Sequence, residues 1–317
     1  MRGVATRLCR HRVVTEIRHF TGLEAFEPAT LRAMIERAAL LKRAPETDAN
    51  ALAGRTLAMI FETPSTRTRI SFDVAMNTLG GRSIALSPGE LQLGRGESIS
   101  DTARVLSRYV DAILLRTTKH DSLLQLVASA GVPIINGLTD RTHPCQLMAD
   151  ILTFEEHRGP ITGQHIAWLG DGNNMAATWI QAAAQFEFSL RLACPAAYAP
   201  EAEILDWALA RGADVAVGED IGAAVTGADC VVTDTWISMS DDAGKQKIED
   251  LKPFQVNEAV MAQAAEDAIF LHCLPAKRGL EVTEAVMEGA HSVVFDEAEN
   301  RLHAQKAILL WCLGEAS

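Results

Sequence analysis

The feature that most constrains this chain is a rhythm. From about residue 56 onward, short apolar runs alternate with helical patterns of roughly ten to fifteen residues. The runs fall at 57–61, 83–86, 112–115, 132–135, 166–169, 190–194, 215–217, 230–233, 269–273 and 293–295. A strand followed by a helix and another strand returns in the same direction, so the rhythm predicts parallel sheets with helices on both faces. Ten strands overfill one open sheet, and 317 residues exceed what one core usually supports. Two doubly wound parallel-sheet domains are therefore expected. The pattern 144–157 opens on Pro144 and stops at Arg158, Gly159 and Pro160, with four runs before it and six after. It reads as a helix bridging the domains, and 300–313 reads as a long helix returning to the first. Residues 237–256 are polar and without period, and they read as a long loop of the kind that forms lids.

Charge narrows the partners. Lys and Arg total 29 against 41 Asp and Glu, a formal charge of −12. Such a chain lacks the basic face that sequence-independent nucleic-acid binding needs, and it repels anionic membranes. An anionic substrate would need a local cluster of Arg working against the overall field. No apolar run reaches the ~18 residues of a membrane span. Cys9, Cys145, Cys194, Cys230, Cys273 and Cys312 form no C-x-x-C pair. They read as reduced, mostly buried thiols of a cytoplasmic protein, with neither a disulfide framework nor a metal site. Residues 1–17 carry Arg2, Arg7, Arg10 and Arg12 beside a single acid, Glu16, and read as a tail.

Ligands of parallel sheets bind beyond the carboxyl ends of the strands, so candidate site residues are those that follow each run. Glu62-Thr63-Pro64-Ser65-Thr66-Arg67-Thr68-Arg69 follows the first run and opens a helical pattern. Free N–H groups, hydroxyls and two Arg at a helix start suit a phosphate. Arg116 follows the run at 112–115. His143 and Gln146, three apart at the head of the bridging pattern, offer a donor and an acceptor for a group carrying C=O beside NH₂. Gly170-Asp171-Gly172-Asn173-Asn174 imitates a dinucleotide fingerprint, but the third small residue comes one position late. The next run also ends at Cys194-Pro195 without a ribose-binding acid. Asp234, His272-Cys273-Leu274-Pro275 and Asp296-Glu297-Ala298-Glu299-Asn300-Arg301 complete the set.

Taken together, and in order from about Arg18 onward, these segments resemble the aspartate/ornithine carbamoyltransferase family. S-T-R-T-R at 65–69 is similar to its carbamoyl-phosphate signature, and H-P-x-Q with Ala149 and Asp150 to its second signature. H-C-L-P at 272–275 and D-E-A-E-N-R at 296–301 resemble the ornithine branch. The resemblance implies that Ser65, Thr66, Arg67, Thr68 and Arg116 hold phosphate. It implies that His143, Gln146, the Leu274 carbonyl and Arg301 hold the carbamoyl group. Gln92 would reach the site of a neighbouring subunit. Asn174, Asp234, Ser238 and Met239 would hold ornithine, with Cys273 beside the reacting amine. Arg67, Arg116, His143, Asp234, Cys273 and Arg301 are thus the expected catalytic set.

The resemblance also implies a 1–17 tail, a carbamoyl-phosphate-binding domain at 18–143 completed by the 300–317 helix, and an ornithine-binding domain at 144–299. It implies a homotrimer and neither metal nor organic cofactor. The aspartate branch needs a Lys in the cross-subunit loop, and 88–98 has none, while Asp234 suits a cationic amine. Ser240 stands where the ornithine pattern has Gly, and a φ > 0 conformation, free to Gly, would cost Ser. Putrescine or an acylated ornithine are alternative substrates within the family. A nicotinamide-dependent oxidoreductase and a non-catalytic relative are the readings outside its chemistry.

Overall fold

The computed structural model describes residues 17–87, 89, 96–237 and 245–314. Its first unit runs α1 (Pro28–Arg43), β1 (Thr56–Phe61), α2 (Thr66–Thr78), β2 (Arg82–Leu86), α3 (Ile99–Leu106), β3 (Ala112–Arg116), α4 (His120–Ser129) and β4 (Ile134–Leu138). After α5 (Pro144–Arg158), the second unit runs β5 (His165–Leu169), α6 (Asn174–Phe186), β6 (Ser189–Ala193), α7 (Ala202–Leu209), β7 (Val215–Gly218), α8 (Ile221–Val225) and β8 (Cys230–Thr233). It continues through α9 (Lys245–Leu251), α10 (Glu258–Met261), β9 (Ile269–Leu271) and α11 (Glu284–Met287), and α12 (Val294–Leu313) closes the chain. The sheets are ordered β2-β1-β3-β4 and β7-β6-β5-β8-β9, and every pairing between these strands is parallel. Two doubly wound parallel sheets are thus present, as the alternation predicts.

Register sets the site. Phe61 pairs with Arg116, and Leu169 with Thr233. The strands of each sheet end level, so the loops that follow them emerge along one rim.

The helix α5 is buried along all of 144–154, the mark of an element with neighbours on every side rather than one stripe. It packs against α12, which also packs on α1 and α2. One apolar core therefore runs through both units, from Phe72 and Leu114 by way of Leu147, Phe154 and Leu309 to Trp168 and Trp179. Each such buried side chain contributes about 1.5–3 kcal/mol. Smaller clusters fill the other face of each sheet.

The differences from the sequence reading have physical causes. The run at 293–295 is not a strand: pairing stops at a single bridge, Phe270 to Ser292, and α12 begins at Val294. Asp296 and Glu297 fall in the first helical turn, where acids favour a helix start. The fourth strand lies two residues later than 132–135, because Pro133 has no N–H to donate. The loop at 237–256 is helical over Lys245–Leu251, with Leu251 anchored in the interior. Of the tail at 1–17, residues 1–16 lie outside the described residues. No helix among those described is long and apolar enough to cross a membrane.

Candidate active site

Six strand ends, from both sheets, open on one cleft of about 730 Å³. On the side of the first sheet, Ser65 caps α2, its Oγ accepting the Thr68 N–H at 3.3 Å. The remaining N–H groups of the first turn have no helical acceptor. Arg67 and Thr68 line the cleft beside them, with Arg116 and Arg301.

Thr68 is buried and ties the guanidiniums together. Its Oγ1 accepts from Arg301 Nη2 at 2.8 Å and from Arg116 Nη1 at 3.4 Å. Burial lowers the Arg116 pKa to about 10, helped by repulsion from Arg301 and Arg67, and burial lowers that of Arg301 as well. Arg116 Nε and Arg301 Nε are buried with no hydrogen-bond partner among the described residues. A cluster of guanidiniums at a helix N-terminus in an acidic protein is built for a strongly charged anion.

His143 occupies the N-cap position of α5, where its N–H donates to Thr178 Oγ1 at 2.9 Å. Burial, with Arg301 and Arg116 nearby, holds its pKa well below the ordinary 6.5. The imidazole is therefore neutral, and its buried Nδ1 has no partner among the described residues.

The second sheet supplies an acid. Asp234 follows β8, with Oδ2 accepting from Asn173 Nδ2 at 2.9 Å. Its Oδ1 accepts the Thr235 N–H at 2.7 Å and the Cys273 thiol at 3.1 Å. Burial, then the charge of Asp234, pushes the Cys273 pKa well up, so this sulfur is a protonated donor rather than a nucleophile. One potential ligand atom each of Asp234, His272 and Cys273 lie within 4.8 Å of one another. A cation there would need the thiolate that burial disfavours, and His272 Nδ1 already accepts the Leu274 N–H at 2.9 Å. That bond fixes the turn in which Leu274 adopts φ 58°.

The glycine pattern after β5 has a steric origin. A Cβ on Gly172 would lie 2.4 Å from Pro200 N and 2.5 Å from Tyr198 O, and Gly170 has φ 112°. Neither glycine is needed for a pyrophosphate. Asn173 caps α6, its Oδ1 accepting from Met175 and Ala176 N–H. Asn174 lines the cleft with its amide NH₂ donated to Thr139 O at 2.7 Å.

Of the residues singled out from sequence, Ser65, Arg67, Thr68, Arg116, His143, Asn174, Asp234, Cys273, Leu274 and Arg301 share this cleft. Thr66 does not line it and is exposed at the first helical position. Gln146 does not line it either: it is fully buried behind Arg301, whose Nη1 donates to its Oε1. Gln92, Ser238, Met239 and Ser240 lie outside the described residues. Thr139, which the strand-end rule covers, also lines the cleft, as do Asp171 and Asn173 of the glycine pattern, to which the sequence assigns no site role. Lys247 and Lys277 line it too, from segments with no such signal.

Comparison with known proteins agrees with this geometry. Residues 18–156 match the model for the carbamoyl-P binding domain of aspartate/ornithine carbamoyltransferase, and 162–312 its Asp/Orn binding domain. The chain is 57% identical over 300 residues to an ornithine carbamoyltransferase of Rhodopseudomonas palustris, covering 94% of this chain and 97% of that one. An ornithine carbamoyltransferase of Agrobacterium fabrum is 55% identical over 299 residues, with 94% and 98% covered. The solved ornithine carbamoyltransferase from Pyrococcus furiosus superposes with a TM-score of 0.90 at 43% identity, covering 94% and 97% of the two chains. The anabolic ornithine carbamoyltransferase from Campylobacter jejuni gives 0.89 at 39%, covering 94% and 100%. A cleft with an arginine-ringed helix end on one sheet and a buried acid on the other, in a chain matched along both halves, places the protein in the aspartate/ornithine carbamoyltransferase family.

Proposed function

We propose that the chain transfers the carbamoyl group of carbamoyl phosphate to the δ-amine of L-ornithine, giving L-citrulline and phosphate. The observation that carries the reading is the polarity of the cleft. Arg67, Arg116 and Arg301 line it from the helix-end side, and the Asp234 carboxylate stands on the other. A dianion and an aminoacid ammonium are the charges this polarity suits.

In this reading, phosphate rests on the α2 N-terminus with Ser65, Arg67, Thr68 and Arg116, and Thr66 enters only on the family resemblance. The carbonyl oxygen points to His143 and Arg301, with Gln146 supporting Arg301. The neutral δ-amine attacks the carbonyl carbon, and the oxyanion that forms meets donors already in place. One such preorganised donor is worth about 3 kcal/mol of barrier. The C–O bond to phosphate then breaks, and the proton of the new amide nitrogen passes to the departing phosphate. Asp234 holds the α-ammonium and Asn174 the carboxylate, while Cys273 orients Asp234. Gln92, Ser238, Met239 and the Leu274 carbonyl complete the assignment on the family resemblance.

The same reading makes 18–143 with the 300–317 helix the carbamoyl-phosphate domain and 144–299 the ornithine domain, in a cytoplasmic homotrimer. Exposed Ile70 and Val74, one turn apart on α2, and Ile84 on the edge strand β2 support self-association through the first unit. Incubation with carbamoyl phosphate and L-ornithine tests the function. Equimolar citrulline and phosphate are expected, and phosphate release without citrulline would refute it. A sedimentation mass of one or two chains would refute the trimer.

A further inference from the structure

Behind Arg301 lies a pair of acids that the proposed chemistry does not use. Asp150 on α5 and Glu297 on α12 are each 1% exposed. Both accept from the same atom: Gln146 Nε2 donates to Asp150 Oδ1 at 2.8 Å and to Glu297 Oε1 at 2.9 Å. The two carboxyl groups are also close enough to hydrogen-bond each other. The nearest cation, Arg301, reaches neither, since its Nη1 goes to Gln146 Oε1 and its Nη2 to Thr68 Oγ1. Glu297 Oε2 accepts the His272 N–H at 2.8 Å.

Two ionised carboxylates packed together in a dry interior, with no directly paired cation, repel strongly, and one bound proton removes that repulsion while supplying the hydrogen bond between them. We propose that Asp150 and Glu297 share one proton and act as a positioning pair, fixing Arg301 through Gln146 and the 272–275 turn through the His272 N–H. The network joins the bridging helix, the last helix and the end of β9, so it ties both sheets to the same reaction centre. The groups that face the pair are Gln146 on α5, Arg301 on α12, Cys230 and Asp234 at β8, and His272 and Cys273 after β9. Burial raises the pKa of both acids, that of Asp150 to about 7, and the neighbouring charge of Asp150 adds to the rise at Glu297. The single negative charge that one shared proton leaves on the pair balances Arg301.

The proposal rests on the carbamoyl-transfer reading of the cleft, and its test separates the two. Asp150→Asn keeps an acceptor for Gln146, offers an N–H to Glu297 and leaves the pair with one negative charge. Asp150→Ala removes the acceptor. Isotope-edited infrared spectra of the parent at neutral pH should show a buried protonated carboxyl that is absent from both Asp150→Asn and Glu297→Gln. Asp150→Asn should keep kcat and the Kd for inorganic phosphate close to the parent's. Asp150→Ala should lower kcat by about ten- to a hundredfold, the range for a misplaced positioning group, with KM for ornithine little changed. A parent spectrum with both acids ionised overturns the proposal. So does an Asp150→Ala variant with parent-like kcat and phosphate Kd. If Asp150→Ala does not fold, the parent band and its loss in an active Asp150→Asn decide. A parent that binds phosphate but makes no citrulline sinks the functional reading instead, and the infrared band and phosphate Kd still judge the pair.

Discussion

Asp234→Asn removes one charge and almost no volume, so its cost can be worked from the contacts. In the parent, three donors converge on the carboxylate: Asn173 Nδ2, the Thr235 N–H and the Cys273 thiol. An asparagine can keep its oxygen toward Thr235 and Cys273, but its NH₂ then meets the NH₂ of Asn173. Asn173 cannot turn over without giving up the two N–H groups its oxygen caps on α6. One buried donor is left without an acceptor, a loss of about 1–3 kcal/mol in stability. The effect on substrate is larger in one direction only. A charge-assisted hydrogen bond to an ammonium contributes about 1.5–3 kcal/mol, so kcat/KM for ornithine should fall by about ten- to 150-fold. The phosphate site is built from α2, β3 and α12, so the Kd for carbamoyl phosphate or inorganic phosphate should stay near the parent's. Steady-state kinetics with ornithine, with calorimetric titration of phosphate, measures both. Equal weakening of the two ligands, or an unchanged kcat/KM for ornithine, would refute the placement of the amine against Asp234.

Arg67→Ala should lower kcat by roughly a hundred- to a thousandfold with an unchanged melting temperature, and near-parent turnover would remove Arg67 from the anion site. Gly172→Ala should destabilise by about 1–3 kcal/mol, because the new methyl meets the backbone of Tyr198 and Pro200 rather than a movable side chain. A melting temperature equal to the parent's would contradict that contact. Acid stability tests His143. Its folded pKa lies below the unfolded 6.5, so the unfolded chain takes up this proton first, and the associated stability is complete above pH 6.5 and lost as pH falls below it. His143→Gln should therefore lose less stability than the parent between about pH 6.5 and 5, and an identical slope would show that this imidazole titrates normally.

How much was legible in the sequence follows from where each signal resides. Alternation and strand-end position are local, so both sheets and most of the cleft wall could be read. Ser65, His143 and Asp234 all follow a strand, and Arg116 is the last residue of one. Local signals misled where a short apolar run served something else. Residues 293–295 enter a helix, with Phe295 63% exposed, and nothing in three apolar residues distinguishes that from an edge strand. Gly172 imitated a nucleotide loop because a close backbone approach demands glycine whatever lies on the other side. Partnerships were illegible throughout. That Asn173 rather than Asn174 reaches Asp234, and that Gln146 sits behind Arg301, depends on contacts across 61 and 155 residues. The Asp150–Glu297 pair stood inside two quoted motifs, and only the fold brings the two acids together.

The central claim is that this cleft carbamoylates ornithine in particular. The most direct measurement is kcat/KM with carbamoyl phosphate and three amines: L-ornithine, putrescine and an α-N-acylated ornithine. If Asp234 holds an α-ammonium and Asn174 a carboxylate, ornithine should lead both others by at least about tenfold, the worth of one charge-assisted contact. A higher kcat/KM for putrescine or the acylated amine would contradict the account.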